Sequence, residues 1–168
     1  MDARERLENL LSDPEFAPDI VVDRLLPAEE GVFEPFPRDL DPRLVQALKK
    51  RGIDQLYIHQ AEVWRRSRKG GNVVVVTPTA SGKTLCYNLP CLQALLADEN
   101  ARCLYLFPTK ALSQDQQSEL NEISQGAEGL NVKITTYDGD TPDSLRVSAR
   151  DTGRIIISNP DMLHAGIL

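Results

Sequence analysis

The sequence predicts an α/β fold in three layers, a parallel sheet flanked by helices. Two observations predict it. From residue 73 onward, four short β-branched and apolar runs alternate with four longer segments of helical periodicity. Each run also ends in a loop rich in Gly, Pro, Thr, Asn or Asp. Strands that alternate with helices assemble into parallel sheets, because a parallel connection needs a crossover segment that then covers the sheet.

Residues 1–42 differ from the rest of the chain. A short amphipathic helix is predicted over residues 3–11, and six prolines between residues 12 and 42 predict extended segments and turns. The segment is too apolar for a free linker, so we expect it to pack on the domain or on a missing part; its large apolar residues are Val21, Val22, Leu25, Leu26, Val32, Phe33 and Phe36. We therefore predict a leader over 1–42 and a domain over 43–168.

Two helices are predicted ahead of the first strand. Asp41 caps the first helix, Pro42 suits its first position and Gly52 ends it. The second covers about 59–69, with Trp64 facing inward.

The predicted strands cover 73–76, 103–107, 132–136 and 155–157. The first of the helices that follow them begins after Gly82 and is interrupted or kinked near Pro90. The other three cover about 111–124, 142–151 and 160–167, and Thr141 and Asn159 are the predicted caps of the last two. Ligands bind where parallel strands end. The loops at those ends, which also have the most unusual chemistry, are 77–84, 108–110, 137–141 and 158–160.

The composition limits the function only loosely. The net charge is -6, but residues 1–45 hold 12 acidic and 5 basic side chains, whereas residues 46–168 hold 13 and 14. A near-neutral domain neither supports nor excludes nucleic acid. The three cysteines have no metal-ligand spacing, no run approaches the roughly 20 apolar residues of a membrane span, and no secretory signal precedes the domain. We expect a cytoplasmic protein, in a bacterial cytosol, with reduced cysteines and no membrane partner.

Loop 77–84 contains a pattern of residues that is typical of phosphate binding. It matches the phosphate-binding pattern of a glycine, four residues and Gly-Lys-Ser/Thr, except that Thr77 replaces the first glycine. The predicted roles are backbone N–H donors to phosphates from Thr79, Ala80, Ser81 and Gly82, a charge on the β- and γ-phosphates from Lys83, and a Mg²⁺ ligand from Thr84. Lys83 and Thr84 are thus the candidate catalytic residues. The alternative is an ordinary strand–turn–helix that happens to contain Gly-Lys-Thr.

Gln60 lies 23 residues before Lys83. A glutamine amide can donate to and accept from one adenine edge, which favours ATP over other nucleotides. Tyr57 offers a ring for stacking. The alternative is a surface glutamine and a core tyrosine.

These residues, with Pro108-Thr-Lys-Ala-Leu after the second strand and Ser-Asn159-Pro-Asp after the fourth, resemble superfamily 2 helicases of the DEAD/DEAH-box type. Tyr-Asp-Gly-Asp-Thr-Pro after the third strand resembles a further turn of that family. The closest resemblance is to the branch of bacterial mitomycin-repair helicases and fungal relatives of human RecQ-like helicases. It implies a RecA-like P-loop NTPase domain, the first of two motor domains, that uses ATP and Mg²⁺ on single-stranded or partly duplex DNA, with RNA possible.

The resemblance also implies nucleic-acid contacts from the second and fourth loops: Pro108, Thr109, Lys110, Asn159, Pro160 and Asp161. Hydroxyl and amide donors and the free N–H groups of a helix N-terminus suit phosphate oxygens. For the polar residues the alternative is simple helix capping, and Asn159 can do both.

An acidic pair is missing from this pattern. In the family an apolar strand ending in Asp-Glu organises Mg²⁺ and water, and no such run occurs before residue 168. We therefore expect an incomplete domain of a larger ATP-dependent helicase, which lacks its C-terminal motor domain and hydrolyses almost no ATP alone. Three alternatives stay open: an RNA helicase, a small-molecule kinase, and a non-enzymatic nucleotide-binding or scaffold module.

Overall fold

A computed structural model describes residues 2–24, 26–27, 30–130 and 132–166. The chain divides into two units, residues 1–31 and 32–168. The first unit contains helix α1 (Ala3–Ser12), as predicted, and one 3₁₀ turn (Ala17–Asp19) in the proline-rich segment. Leu25 of the predicted leader lies outside the described residues.

The second unit begins earlier than the predicted boundary at residue 43. Strands β1 (Phe33–Glu34) and β2 (Leu56–Tyr57) pair in antiparallel fashion, with Phe33 opposite Tyr57. Leu40 is buried in the same core. Residues 32–42 therefore belong to the domain, because β1 pairs with β2 and Leu40 packs in the core of the domain.

Helix α2 (Pro42–Lys50) follows directly, and its predicted cap is confirmed. The Asp41 carboxylate accepts a hydrogen bond from the Arg43 N–H at 2.9 Å and pairs with the Arg43 guanidinium at 2.7 Å. These contacts hold the pKa of Asp41 below its ordinary value. Leu44, Ala47 and Leu48 form the buried face, and Gly52 after the helix has φ 75°, which favours glycine.

The main sheet has three parallel strands in the order β3 (Cys103–Leu106), β5 (Ile155–Ser158) and β4 (Ile134–Thr136). Tyr105 and Thr136 lie on either side of Ile157. The helices that flank it are α3 (Ile58–Ser67), α4 (Lys83–Ala97), α5 (Lys110–Gly126), α6 (Asp143–Thr152) and α7 (Pro160–Gly166). Ile155 and Ile157 are fully buried, as expected for a central strand covered on both faces.

The predicted strand at 73–76 is wrong for the described chain. The segment carries no strand pairing, and Val74 and Val76 are 88% and 90% exposed. Val73 and Val75 are half-buried and line a cavity against α4. A β-branched run favours extended backbone, but a strand also needs a hydrogen-bonded neighbour, and residues 73–76 have none in the described part of the chain.

Helix α4, predicted to be interrupted or kinked near Pro90, is not interrupted there, because it runs continuously through that residue. A further local prediction is wrong. Helix α6 begins at Asp143 after Pro142. The Thr141 hydroxyl does not cap it, because that hydroxyl bonds instead to Asp138 and to the Thr136 carbonyl.

The caps of α5 and α7 are side-chain oxygens. Thr109 accepts from Leu112 N–H at 3.3 Å, and Asn159, as predicted, accepts from Met162 N–H at 2.8 Å. The predicted end of α7 at residue 167 lies outside the described residues. No helix in the described part of the chain is long and apolar enough to cross a membrane.

Candidate nucleotide and nucleic-acid sites

The phosphate loop of residues 77–84 enters α4 through two left-handed residues. Ala80 has φ 58° and Gly82, directly before the helix, has φ 71°. A Cβ at position 82 would lie 2.7 Å from the Gln60 amide nitrogen, so glycine is needed there for space as well as for conformation. The N–H groups of Lys83 and Thr84, the first two residues of α4, have no acceptor within the helix, and free N–H groups at a helix N-terminus are the usual donors of an anion site.

Lys83 lies within its own loop. Its ammonium group donates to the Thr77 carbonyl at 2.9 Å, to the Pro78 carbonyl and, at 3.4 Å, to the Ser81 hydroxyl. The Thr77 and Ser81 hydroxyls are 2.6 Å apart. The Lys83 ammonium group is thus surrounded by oxygen atoms of its own loop.

Gln60 ties α3 to this loop and is only 3% exposed. Its amide oxygen accepts from Tyr57 N–H at 2.9 Å, and its amide nitrogen donates to the Gly82 carbonyl at 2.7 Å. Both ends of the amide therefore have protein partners. The predicted contact with an adenine edge has to use the remaining hydrogen and lone pair.

A cleft of about 420 Å³ lies next to Gln60 and Gly82. Phe33 and Tyr57 form part of its wall, with ring centroids 4.5 Å apart and nearly parallel. Ile53 and Leu85 add apolar surface. Sequence reasoning missed Phe33 and Ile53 as lining residues. Phe33 stands in the predicted leader, 24 residues before Tyr57, and only the β1–β2 pairing brings the two rings together.

Thr84 lies in the first turn of α4, beside Lys83. One hydroxyl suits Mg²⁺, which normally takes one or two protein ligands and completes its shell with phosphate oxygens and water. Among the described residues, no group of three or more His, Cys, Asp or Glu side chains could hold a metal ion by itself.

Three of the four predicted loops meet at one edge of the sheet. Since β3 and β5 are neighbours, the Phe107 N–H donates to the Ser158 carbonyl at 2.9 Å, which places Pro108 and Thr109 beside Asn159. Lys110 begins α5, and Pro160 and Asp161 begin α7. Thr109 and Asn159 serve as caps, so the capping alternative holds for both, and any phosphate contact would be an additional role.

Lys110 reaches across to the third loop and pairs with Asp140. The pair raises the pKa of Lys110 and lowers the pKa of Asp140. Arg146 holds the same turn by donating to the carbonyls of Asp138 and Gly139 at 3.2 and 3.1 Å.

A family model described as DEAD/DEAH box helicase matches residues 57–168. The chain belongs to the DEAD/DEAH box helicase family. The match begins at Tyr57 and includes Gln60, the phosphate loop and all three loops of the sheet edge. This confirms the family that the motif order predicts, and the parallel sheet with its flanking helices is the RecA-like fold of such helicases.

Curated helicases of this family align with nearly the whole chain. The "Uncharacterized ATP-dependent helicase YprA" of Bacillus subtilis is 50% identical over 98% of the chain and 22% of its own length. The "ATP-dependent helicase hrq1" of Schizosaccharomyces pombe is 39% identical over 98% of the chain and 16% of its own length. The chain thus spans about a fifth of the length of these relatives.

A solved helicase structure has the same fold. The structure titled "Crystal Structure of DUF1998 helicase MrfA bound to DNA and AMPPNP" superposes with a TM-score of 0.79 at 55% identity, over 83% of this chain and 19% of the other. The DEAD-box helicase Mss116, with a TM-score of 0.64 and 20% identity, shares the fold alone. Both the predicted family and its predicted branch are therefore confirmed.

Proposed function

We propose that this chain is the nucleotide-binding part of an ATP-dependent DNA helicase. It binds ATP with Mg²⁺ in the loop 79–84 and contacts the nucleic-acid backbone through 108–110 and 159–161. In the whole protein, a second motor domain of the same chain completes the enzyme. The observation that carries the proposal is the continuity between a phosphate loop and an aromatic-lined cleft, joined through the buried Gln60.

The nucleotide would occupy the two parts of this site together. The base enters the cleft beside Phe33 and Tyr57, where an offset-stacked ring is favourable. Backbone N–H groups at the start of α4 donate to the phosphate oxygens. Lys83 exchanges the Thr77 and Pro78 carbonyls for phosphate oxygens, and the Thr84 hydroxyl binds Mg²⁺ that is held by the same phosphates.

The nucleic acid would lie along the edge formed by the other loops. Thr109, Lys110 and Asn159 can donate to phosphate oxygens, and the helix N-termini of α5 and α7 add free N–H groups. Such contacts read the backbone rather than the bases. DNA is the proposed substrate because relatives at 50% and 55% identity are helicases and one of them was crystallised with DNA.

Nucleotide binding tests the proposal directly. We expect Lys83→Ala to weaken the binding of a non-hydrolysable ATP analogue by roughly tenfold to hundredfold, because a charged hydrogen bond is worth about 1.5–3 kcal/mol. Titration calorimetry with Mg²⁺ measures this affinity. Lys69→Ala is the matched control, since Lys69 is an exposed lysine at the end of α3. Equal affinities of the two variants would contradict the phosphate-loop assignment.

The choice of nucleic acid has a separate test. Competition between single-stranded DNA and RNA of the same sequence for the chain with bound analogue gives the preference directly. Tighter binding of RNA would overturn the DNA assignment and leave the nucleotide site untouched.

A further inference from the structure

Two cysteines outside the nucleotide site face each other between α4 and β3. Cys91 lies on α4 and Cys103 begins β3. The Cys103 thiol points at the Cys91 carbonyl oxygen, 3.9 Å away, and the two thiols interact. Neither side chain takes part in the nucleotide or nucleic-acid contacts. The pair is therefore free for chemistry of its own.

The surroundings of Cys91 favour reaction at its sulfur. Tyr105 lines a cavity together with Cys91, and its buried hydroxyl has no hydrogen-bond partner in the described structure. The Cys103 thiol and the Tyr105 hydroxyl lower the pKa of Cys91 to about 7, against the opposing effect of burial. Interaction with Cys91, together with burial, raises the pKa of Cys103. A thiolate is the nucleophilic form of cysteine, and Cys91, unlike Cys103, lines both neighbouring cavities, so Cys91 is the attacking group of the pair.

Small molecules can reach Cys91 from two sides. It lines a cavity of about 470 Å³ between α4 and residues 71–75, and a second cavity of about 290 Å³ along β3. Cys86, the third cysteine, is only 3% exposed, and burial raises its pKa. Cys86 also lines the larger of these cavities, so it differs from Cys91 in exposure and in ionisation rather than in the cavity it faces.

We propose that Cys91 and Cys103 form a reversible disulfide when the protein meets a hydroperoxide. The Cys91 thiolate attacks the peroxide, the O–O bond breaks, and a sulfenic acid forms on Cys91 while the alcohol or water leaves. The Cys103 thiol then attacks that sulfur, the S–S bond forms and water leaves. Two thiols are oxidised, one peroxide is reduced, and an external thiol reverses the change.

The disulfide would connect an element of the proposed nucleotide site to an element of the proposed nucleic-acid site. Helix α4 begins at Lys83 in the phosphate loop, and β3 ends just before the loop that contains Thr109 and Lys110. A covalent bond between them fixes the spacing of α4 relative to the sheet. Oxidation would then alter nucleotide and nucleic-acid binding together.

Peptide mapping of the whole chain after treatment with hydrogen peroxide tests the pair. We expect an intramolecular Cys91–Cys103 linkage, loss of two hydrogens from the intact mass, and full reversal by dithiothreitol. Cys86→Ser should leave this linkage unchanged. A linkage that involves Cys86, or no linkage among monomers when overoxidised cysteine accumulates, would overturn the proposal.

A second measurement separates the roles of the two sulfurs and does not depend on the linkage itself. In Cys103→Ser, peroxide should stop at a sulfenic acid on Cys91 that dimedone traps, whereas Cys91→Ser should give no trapped adduct on Cys103. In the unmodified chain near pH 7, iodoacetamide should label Cys91 at least about tenfold faster than Cys86, because only Cys91 has a large thiolate fraction. Equal labelling of the two, in protein whose circular dichroism is native, would contradict the assignment of Cys91 as the attacking group.

Discussion

At the scale of single residues, Gln60 joins the two halves of the proposed nucleotide site, because it bonds to both Tyr57 and Gly82. Gln60→Ala should weaken binding of the ATP analogue and lower the free energy of unfolding by about 1–3 kcal/mol, since it leaves the Tyr57 N–H unpaired and removes one of the donors to the Gly82 carbonyl, which keeps the Leu85 N–H. In Gln60→Glu the side chain can still accept from the Tyr57 N–H, but its carboxylate faces the Gly82 carbonyl oxygen. We therefore expect this variant to bind the ATP analogue no more tightly than Gln60→Ala does. Calorimetry and thermal unfolding measure both effects, and Gln114→Ala on the exposed face of α5 is the control. A Glu variant with unchanged affinity would contradict the donor role.

Asp140 pairs with Lys110, one of the residues proposed to contact the nucleic-acid backbone. Its carboxylate neutralises the one lysine among the predicted backbone-binding residues. Asp140→Asn should therefore strengthen binding of a single-stranded oligonucleotide several-fold and steepen its dependence on salt, because one more phosphate counterion is released. Fluorescence anisotropy at several salt concentrations measures the change.

Asp143→Asn is the control for this effect. Asp143 is also acidic and near the same edge, but its side chain is 98% exposed and lies 3.7 Å from Arg146 rather than near Lys110. Equal gains in the two variants would mean that general repulsion, rather than competition for Lys110, limits binding.

At the scale of elements, the Asp41 cap of α2 is a local contact that contributes to the free energy of unfolding of the domain. Asp41→Ala removes the acceptor of the Arg43 N–H, and we expect the free energy of unfolding to fall by about 0.5–2 kcal/mol. Urea denaturation should show a lower midpoint with an unchanged slope. Asp115→Ala, at an exposed position within α5, is the matched control. A midpoint shift no larger than that of the control would argue against the cap.

Elements that depend on residues nearby in the sequence could be predicted, and elements that depend on more distant or competing contacts could not. The Asp41 and Asn159 caps depend on atoms two or three residues away, so sequence alone identifies them. The run at 73–76 satisfies every local preference for a strand, but its state depends on a neighbour that the sequence does not specify locally. Thr141 stands where a cap would stand, yet a bond to Asp138 in the preceding turn competes with that role.

The candidate site could likewise be predicted only where its residues lie together in the sequence. The phosphate loop is contiguous in sequence, and its glycine, lysine and threonine at fixed spacing indicate phosphate binding. Phe33 could not be assigned to the cleft, because nothing within reach of it in the sequence indicates that it stacks on Tyr57. The closure of the loop on Lys83 was also beyond prediction, since carbonyl groups carry no sequence signal.

At the scale of the whole molecule, the domain boundary has consequences that a pair of shortened chains can measure. Residues 32–42 contribute Phe33 to the cleft, Leu40 to the core, a 2.9 Å bond from the Trp64 indole N–H to the Asp39 carboxylate, and the Arg65–Glu34 ion pair at 2.6 Å. The chain 32–168 keeps all of these contacts. It should therefore bind the ATP analogue with the same affinity as the full chain.

The chain 43–168, cut at the boundary that the sequence suggests, loses all of them. We expect its Tm to fall by about 4 °C or more for each kcal/mol of lost stability. Its affinity for the ATP analogue should fall as well, because Tyr57 loses the Phe33 ring and β2 loses its only strand partner among the described residues. Calorimetry on the three chains side by side decides between the boundaries. Equal Tm and equal affinity for 32–168 and 43–168 would restore the boundary at residue 43 and remove Phe33 from the nucleotide site.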